Sequence, residues 1–149
     1  MTFKEKIYQH YAQLVQDRVD VFRDMIAALS EDSKNDAKGS AGDKHETALS
    51  MMHIEQEKLN RKIAEFQEQK SILEKINPEV LTDRVALGSL VTTNGLLLFV
   101  STALPKIVVE STSIIALSPQ SPLGTKMMGM KVGDAFEVNG TKYVVQGIC

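Results

Sequence analysis

The sequence predicts an α+β fold, in which an N-terminal antiparallel hairpin of two long helices precedes a small antiparallel β-sheet with one short helix. Apolar residues recur at 3-4 spacing in the first half, as in amphipathic helices, whereas short apolar runs and hairpin dipeptides fill the second half. Residues 1–76 contain no proline and two of the nine glycines, and residues 78–149 contain all four prolines. We therefore predict a helical hairpin over 1–76 and a β domain over 78–149.

The first helix is predicted to start at a capping box formed by Thr2 and Glu5. The positions that follow are spaced 4-3-4-3-4, the pattern of a coiled-coil seam with one polar interruption. These positions are Ile7, Tyr11, Leu14, Arg18, Val21 and Met25. The polar segment 30–42 has the composition of a loop, so we expect the helix to end near Leu29.

A second helix is predicted from Asp43, with a heptad seam that extends over about 25 residues. Its seam positions are Leu49, Met52, Gln56, Leu59, Ile63, Phe66, Lys70 and Leu73. Since a single seam cannot shield itself from water, two seams joined by a polar loop predict an antiparallel coiled coil. The polar seam residues Arg18, Gln56 and Lys70 either fix the register or extend to solvent along their stems.

The second half is predicted to form strands around two Asn-Gly turns. Apolar runs flank Asn94-Gly95 and Asn139-Gly140. The predicted strands cover 87–92, 96–104, 106–117, 135–138 and 141–148. A short helix is expected from Pro122 to Met128, because proline is common in the first helical turn and Gly129 ends the segment.

Composition limits the classes of function. The net charge of −2 argues against a broad electrostatic grip on nucleic acid, and hence against sequence-specific DNA binding. No apolar run approaches the ~20 residues that span a bilayer, so we expect a cytoplasmic protein without membrane contact. The single cysteine, Cys149, stands in no motif typical of a catalytic thiol and is a poor candidate for a nucleophile.

An acidic pair opens the second helix, in the segment Gly42-Asp43-Lys44-His45-Glu46. Asp43 and Glu46 are three residues apart and share one face of a helix, whose N-terminus favours carboxylates. Two such carboxylates can complete the ligand shell of Mg²⁺ but cannot hold it alone, because Mg²⁺ needs six oxygens. The same residues also fit an N-cap and a capping box, and both interpretations stay open.

Two patterns together make the chain similar to the Gre family of bacterial transcript-cleavage factors. The family's acidic loop pattern G-D-x-x-E is matched by Gly42, Asp43 and Glu46. Its C-terminal pattern, which begins Ser-Pro and ends Gly-Asp, resembles the segment from Ser121 to Asp134. The resemblance covers nearly the whole chain, and it implies an N-terminal coiled coil followed by an FKBP-like domain.

The resemblance also implies a function, a transcription elongation factor that assists RNA polymerase rather than an enzyme in its own right. The coiled coil would enter the polymerase secondary channel and stimulate cleavage of backtracked nascent RNA. Asp43 and Glu46 would be the catalytic pair, acting in trans on a Mg²⁺ shared with the polymerase, with no cofactor bound stably. The segment also gives candidate docking residues for the polymerase, namely Ser121, Pro122, Leu123, Gly133 and Asp134.

The sequence leaves two further functions open. The family's Ser-Glu-Asn-x-Glu-Tyr stretch around the acids is absent, and His45, Thr47, Ala48 and Leu49 occupy these positions. This difference favours a regulator that binds the same channel without stimulating cleavage. An FKBP-like sheet also suggests prolyl isomerisation, but that activity needs an aromatic pocket and this half offers only Phe99, Phe136 and Tyr143. His45 and His53 are expected to face solvent.

Overall fold

The computed structural model describes the backbone of residues 1–39 and 43–149 and the side chains of 1–31, 47 and 49–149. It is an α+β structure, as predicted, with two long N-terminal helices, a six-stranded sheet and a short third helix. The helices are α1 (Phe3–Gly39), α2 (Asp43–Glu74) and α3 (Pro122–Met127). The strands are β1 (Leu90–Thr93), β2 (Leu96–Val100), β3 (Leu104–Val109), β4 (Thr112–Leu117), β5 (Ala135–Val138) and β6 (Thr141–Ile148).

The chain forms two compact units. The sheet unit comprises Met1–Ala12 and Ser71–Cys149, and the hairpin unit comprises Gln13–Lys70. The first turns of α1 and the end of α2 therefore belong with the sheet. The division into domains at residues 76–78, which rests on composition, stays a prediction.

Within the hairpin unit, α1 and α2 run antiparallel. The rings of Phe22 and Phe66 meet edge to face with their centroids 5.2 Å apart. Nearer the loop, Nε2 of Gln56 donates a hydrogen bond to Oγ of Ser30 at 3.0 Å. Because a later residue of α1 contacts an earlier residue of α2, the predicted antiparallel direction is confirmed.

The seam of α2 is confirmed as well. Each of its eight positions from Leu49 to Leu73 is buried or half-buried. Between Leu49 and Phe66, every described residue outside the seam is exposed, including His53 as predicted. The heptad is easy to recognise here because polar residues surround nearly every apolar seam position.

The seam predicted in α1 is wrong at Val21 and Met25, although Leu14 and Arg18 are half-buried. Val21 and Met25 are 49% and 47% exposed, whereas Val15 and Val19 are buried. The buried row takes a step of four residues from Tyr11 to Val15 where the prediction takes three, and heptad spacing then continues one position later at Val19, Phe22, Ile26 and Leu29. Leu14 and Val15 are both apolar, so the sequence pattern alone did not show where the heptad shifts.

Helix α1 also continues beyond its predicted end. Its backbone is helical to Gly39, through most of the segment that composition assigned to a loop. Alanine, glutamate and lysine are good helix formers, and the polar residues between them cost little at exposed helical positions. Polarity alone was therefore a poor guide to the end of the helix.

The sheet has the strand order β3-β4-β2-β1-β6-β5. Four of its neighbouring pairs are antiparallel, but β2 and β4 are parallel, with Leu98 beside Ile115. The expectation of an entirely antiparallel sheet was wrong, because 106–117 contains a hairpin instead of one strand. Its turn residues Glu110 and Ser111 have φ of 50° and 65°. Strand β3 thus occupies the edge and β4 returns beside β2.

The core of the sheet unit is formed by residues on both sides of this sheet. Leu98, Phe99 and Val100 on β2 have no exposed surface. Tyr11 of α1, also fully buried, stacks on Phe99 with ring centroids 6.0 Å apart. Its hydroxyl donates to the carbonyl oxygen of Pro105 at 3.0 Å, and burial raises the pKa of Tyr11 to about 12. The first turns of α1 are therefore integral to this core.

Candidate functional site

The acidic pair lies in the first turn of α2, which begins at Asp43. The side chains of Asp43 and Glu46 lie outside the described residues, as does that of His45. A shared, outward-facing position for the two carboxylates therefore stays a prediction. Among the described side chains, no three His, Cys, Asp or Glu residues group as metal ligands.

The docking candidate Ser121 is the N-cap of α3. Its Oγ accepts a hydrogen bond from the amide of Gly124 at 3.0 Å and donates one to the carbonyl of Ser118 at 2.7 Å. Pro122 occupies the first turn, where the missing N–H costs nothing. The Ser-Pro pair thus fixes where α3 begins and how the chain enters it.

The docking candidates Gly133 and Asp134 form the turn that leads into β5. The amide of Gly133, whose φ is 98°, donates to the carbonyl of Val145 at 2.8 Å. The Asp134 carbonyl accepts a bond from the Val145 amide at 2.9 Å, and its carboxylate accepts one from the Lys131 amide at 3.1 Å. These residues fasten the turn to β6, so part of the C-terminal pattern has a structural purpose.

An apolar cavity of about 340 Å³ opens beside α3, within the sheet unit. It is lined by Ile115, Leu117, Ser121, Pro122, Leu123, Val138, Asn139, Thr141 and Tyr143. Three docking candidates from the sequence are thus brought together here, whereas Gly133 and Asp134 are not among the lining residues. At this volume the cavity lies at the lower end of the range for ligand pockets, about 300–1,000 Å³.

Sequence reasoning missed the strand residues that complete this cavity. Ile115 and Leu117 lie on β4, while Val138 and Tyr143 lie on the β5–β6 hairpin. Alternate residues of a strand share a face, so Ile115 and Leu117 together were a detectable signal. The sequence did not show that a hairpin more than 20 residues later in the chain completes the cavity, because β2 and β1 lie between β4 and this hairpin in the sheet.

The cavity contains one aromatic residue among its lining side chains. Tyr143 stacks on Phe136 with ring centroids 5.2 Å apart, but Phe136 itself does not line the cavity. Phe99 lies elsewhere, beneath Tyr11. The lining therefore supplies shape and apolar surface rather than the aromatic enclosure expected for a prolyl isomerase.

No family model matches the chain, and neither does any curated protein. Among the described residues, every helix is too short or too polar to cross a lipid bilayer.

Proposed function

We propose that this chain is a Gre-type transcription elongation factor that binds RNA polymerase through its secondary channel and stimulates cleavage of backtracked RNA. The main support is the start of α2 at Asp43, after the 37-residue helix α1. The acidic G-D-x-x-E pattern thereby falls where two long antiparallel helices are joined. The 32 residues of α2 extend over about 48 Å at ~1.5 Å per residue, enough to reach into a deep channel.

The apolar cavity beside α3 is the proposed docking site on the sheet unit. Ser121, Pro122 and Leu123 line it together, and apolar side chains make up most of the remaining lining. Interfaces derive much of their affinity from an apolar side chain held in a well-packed pocket. An apolar residue exposed at the rim of the polymerase channel suits this cavity.

The polymerase remains the enzyme in this proposal. Asp43 and Glu46 would provide oxygen ligands for a Mg²⁺ shared with the polymerase and help to orient the attacking water. In two-metal phosphodiester cleavage, one ion activates the nucleophile and the other stabilises the leaving oxygen. The chain itself holds no stable cofactor, and its contact with the nascent RNA is indirect.

A second function, a channel-binding regulator without cleavage activity, is favoured by the residues that follow the acids. The family's asparagine and tyrosine are absent, and Leu49 stands in this stretch as a half-buried seam residue. These replacements remove polar groups that would otherwise lie beside the reacting RNA. The same docking surface serves both functions, so they differ only in what happens at the polymerase active site.

Substitution of Asp43 by Asn distinguishes the two functions. The change keeps an N-cap residue at the start of α2 but removes its charge. If the factor stimulates cleavage, Asp43→Asn should retain polymerase binding and reduce the cleavage rate of backtracked complexes by about 10- to 100-fold. The matched control is Asp24→Asn, the same change at an exposed position of α1, which should leave the rate unchanged.

Other results of these assays would distinguish among the three functions. Full stimulation by Asp43→Asn would show that Asp43 takes no part in the chemistry. Polymerase binding without stimulation by the unsubstituted chain would establish the non-cleaving regulator. A peptide isomerisation assay tests the enzymatic alternative, and we expect no activity because the cavity lacks an aromatic enclosure.

A further inference from the structure

The hydrogen bond between Gln56 and Ser30 lies within the apolar seam of the hairpin unit. Gln56 is a seam position of α2, and its neighbours along the seam are Met52 and Leu59. Its Nε2 atom donates to Oγ of Ser30 on α1 at 3.0 Å, and both residues are half-buried. The structure therefore decides one alternative left open by the sequence, because Gln56 crosses to the other helix instead of extending to solvent.

A polar pair in such a seam selects one helix arrangement over its neighbours. Apolar side chains pack almost equally well when two helices shift or rotate slightly, since their contacts are not directional. A half-buried amide that loses its partner exchanges a directional hydrogen bond within the protein for partial solvation, which costs about 1 kcal/mol. A single buried polar residue is known to specify the register of coiled coils in this way, at some cost in stability.

The Gln56–Ser30 pair lies toward the end of the hairpin at which α1 and α2 are joined. Ser30 lies nine residues before α1 ends at Gly39, or about 14 Å along the helix axis. Two ring contacts between the helices, the edge-to-face packing of Phe22 on Phe66 and the Arg18 guanidinium 5.4 Å from the centroid of the Phe66 ring, lie further from the loop. Of these contacts, the Gln56–Ser30 bond is therefore the closest to Asp43 and Glu46.

We propose that Gln56 and Ser30 are positioning residues, which lock the register of the helices next to the loop and so fix where Asp43 and Glu46 are presented. The locking of the register depends only on the hairpin itself. Its consequence for RNA cleavage rests on the proposed function. Small displacements of catalytic groups reduce rates strongly, since a shift of ~1 Å can cost about a hundredfold.

Spin-label distances between the two helices test the lock directly. In a Cys149→Ser background, nitroxide labels are placed at the exposed positions Ala28 and Lys58 through Ala28→Cys and Lys58→Cys. We expect one narrow distance distribution with Gln56 present and a broadened or second distribution in Gln56→Leu. The matched control is Gln67→Leu, the same change at an exposed position of α2, which should leave the distribution narrow.

Substitutions of Ser30 provide the complementary test. Ser30→Ala removes the acceptor and should broaden the distribution as Gln56→Leu does, whereas Ser30→Thr keeps a hydroxyl and should preserve it. The thermal midpoint of Gln56→Leu should not fall, because leucine suits an apolar seam. An unchanged, narrow distribution in both Gln56→Leu and Ser30→Ala would overturn the lock, whatever the protein does with RNA polymerase.

Cleavage kinetics then separate positioning from binding. In Gln56→Leu, the factor concentration that gives half-maximal stimulation should stay the same while the maximal cleavage rate falls by about tenfold or more. A maximal rate equal to that of Gln67→Leu would overturn the positioning role. If the unsubstituted chain stimulates no cleavage, the proposed function fails, and the spin-label result still decides whether the lock exists.

Discussion

The two units of the chain are stabilised to different degrees. In the sheet unit, Leu98, Phe99 and Val100 are fully buried in succession along one strand. In the hairpin unit, none of the side chains described between residues 20 and 62 is buried, and the seam residues there are at most half-buried. Burial of apolar area is the main stabilising term, so the sheet unit should carry most of the stability. The hairpin unit depends on a narrow seam, so it should contribute less to the stability of the protein.

The largest expected effect on stability is seen when a leucine is replaced by alanine in the sheet unit and the result is compared with the same change in the hairpin unit. Leu98→Ala removes a side chain with no exposed surface and leaves a cavity in the sheet, so it should lower the free energy of unfolding by about 3–4 kcal/mol. Leu59→Ala, at a half-buried seam position, should cost only about 1–2 kcal/mol because water already reaches part of that side chain. Denaturant titration of both variants measures the difference. Equal losses would show that the two units are equally well packed.

A smaller effect is expected at Gly124, where the chain packs closely against the loop before α3. A Cβ added here would overlap the carbonyl oxygen of Ser118 and lie 2.9 Å from Oγ of Ser121. Gly124→Ala should therefore destabilise the protein by about 2–3 kcal/mol and disturb one wall of the cavity. Thermal unfolding is the measurement.

The matched control for this substitution is Gly129→Ala. No atom lies within 4 Å of the added Cβ, but the φ of +80° is unfavourable for alanine and should cost about 1 kcal/mol. A larger loss of stability at Gly129 than at Gly124 would show that backbone strain outweighs crowding in this segment, which would contradict the prediction for Gly124.

The smallest expected effect concerns the hydroxyl of Tyr11. Tyr11→Phe keeps the ring on Phe99 but removes the hydrogen bond to Pro105, which should cost about 1 kcal/mol at neutral pH. Burial separately raises the pKa of Tyr11 to about 12, so the fold favours the neutral phenol, and the stability linked to its titration is fully present below pH 10 and is lost between pH 10 and 12.

The pH dependence of unfolding provides the check on that prediction. Tyr11→Phe should lose less stability between pH 10 and 12 than the unsubstituted chain does. Part of the loss should remain, because burial and the charge of Glu74 also raise the pKa of Tyr8. Identical pH profiles for the two proteins would contradict the assignment of a buried phenol to Tyr11.

The two long helices differ in how well their buried faces could be predicted from the sequence. The polar residues around the α2 seam leave one choice of face, and that face was identified correctly. In α1, Leu14 and Val15 offered two choices, and the heptad continues from Val15, one position later than predicted. Sequence pattern alone is thus reliable where apolar residues are sparse and ambiguous where they are adjacent.

The β-hairpins also differ in how well their turns could be predicted from the sequence. The dipeptides Asn94-Gly95 and Asn139-Gly140 each predict a turn. All four residues have positive φ, as a type I′ turn requires. Glu110-Ser111 makes the same conformation without glycine, so the β3–β4 hairpin and the parallel β2–β4 pair were missed. The cavity was only partly foreseeable, because Ser121 and Leu123 come from a pattern, whereas Val138 and Tyr143 lie on β5 and β6, which β2 and β1 separate from β4 in the sheet.

The most direct test of the proposed role is retention of this protein by immobilised core RNA polymerase, measured for the full chain and for Leu123→Asp. Leu123 lines the apolar cavity, and a carboxylate there should prevent an apolar side chain from entering. We expect saturable binding of the full chain and loss of binding in Leu123→Asp, with the helical content of the variant unchanged. Absence of binding by the full chain would contradict the proposed role in transcription.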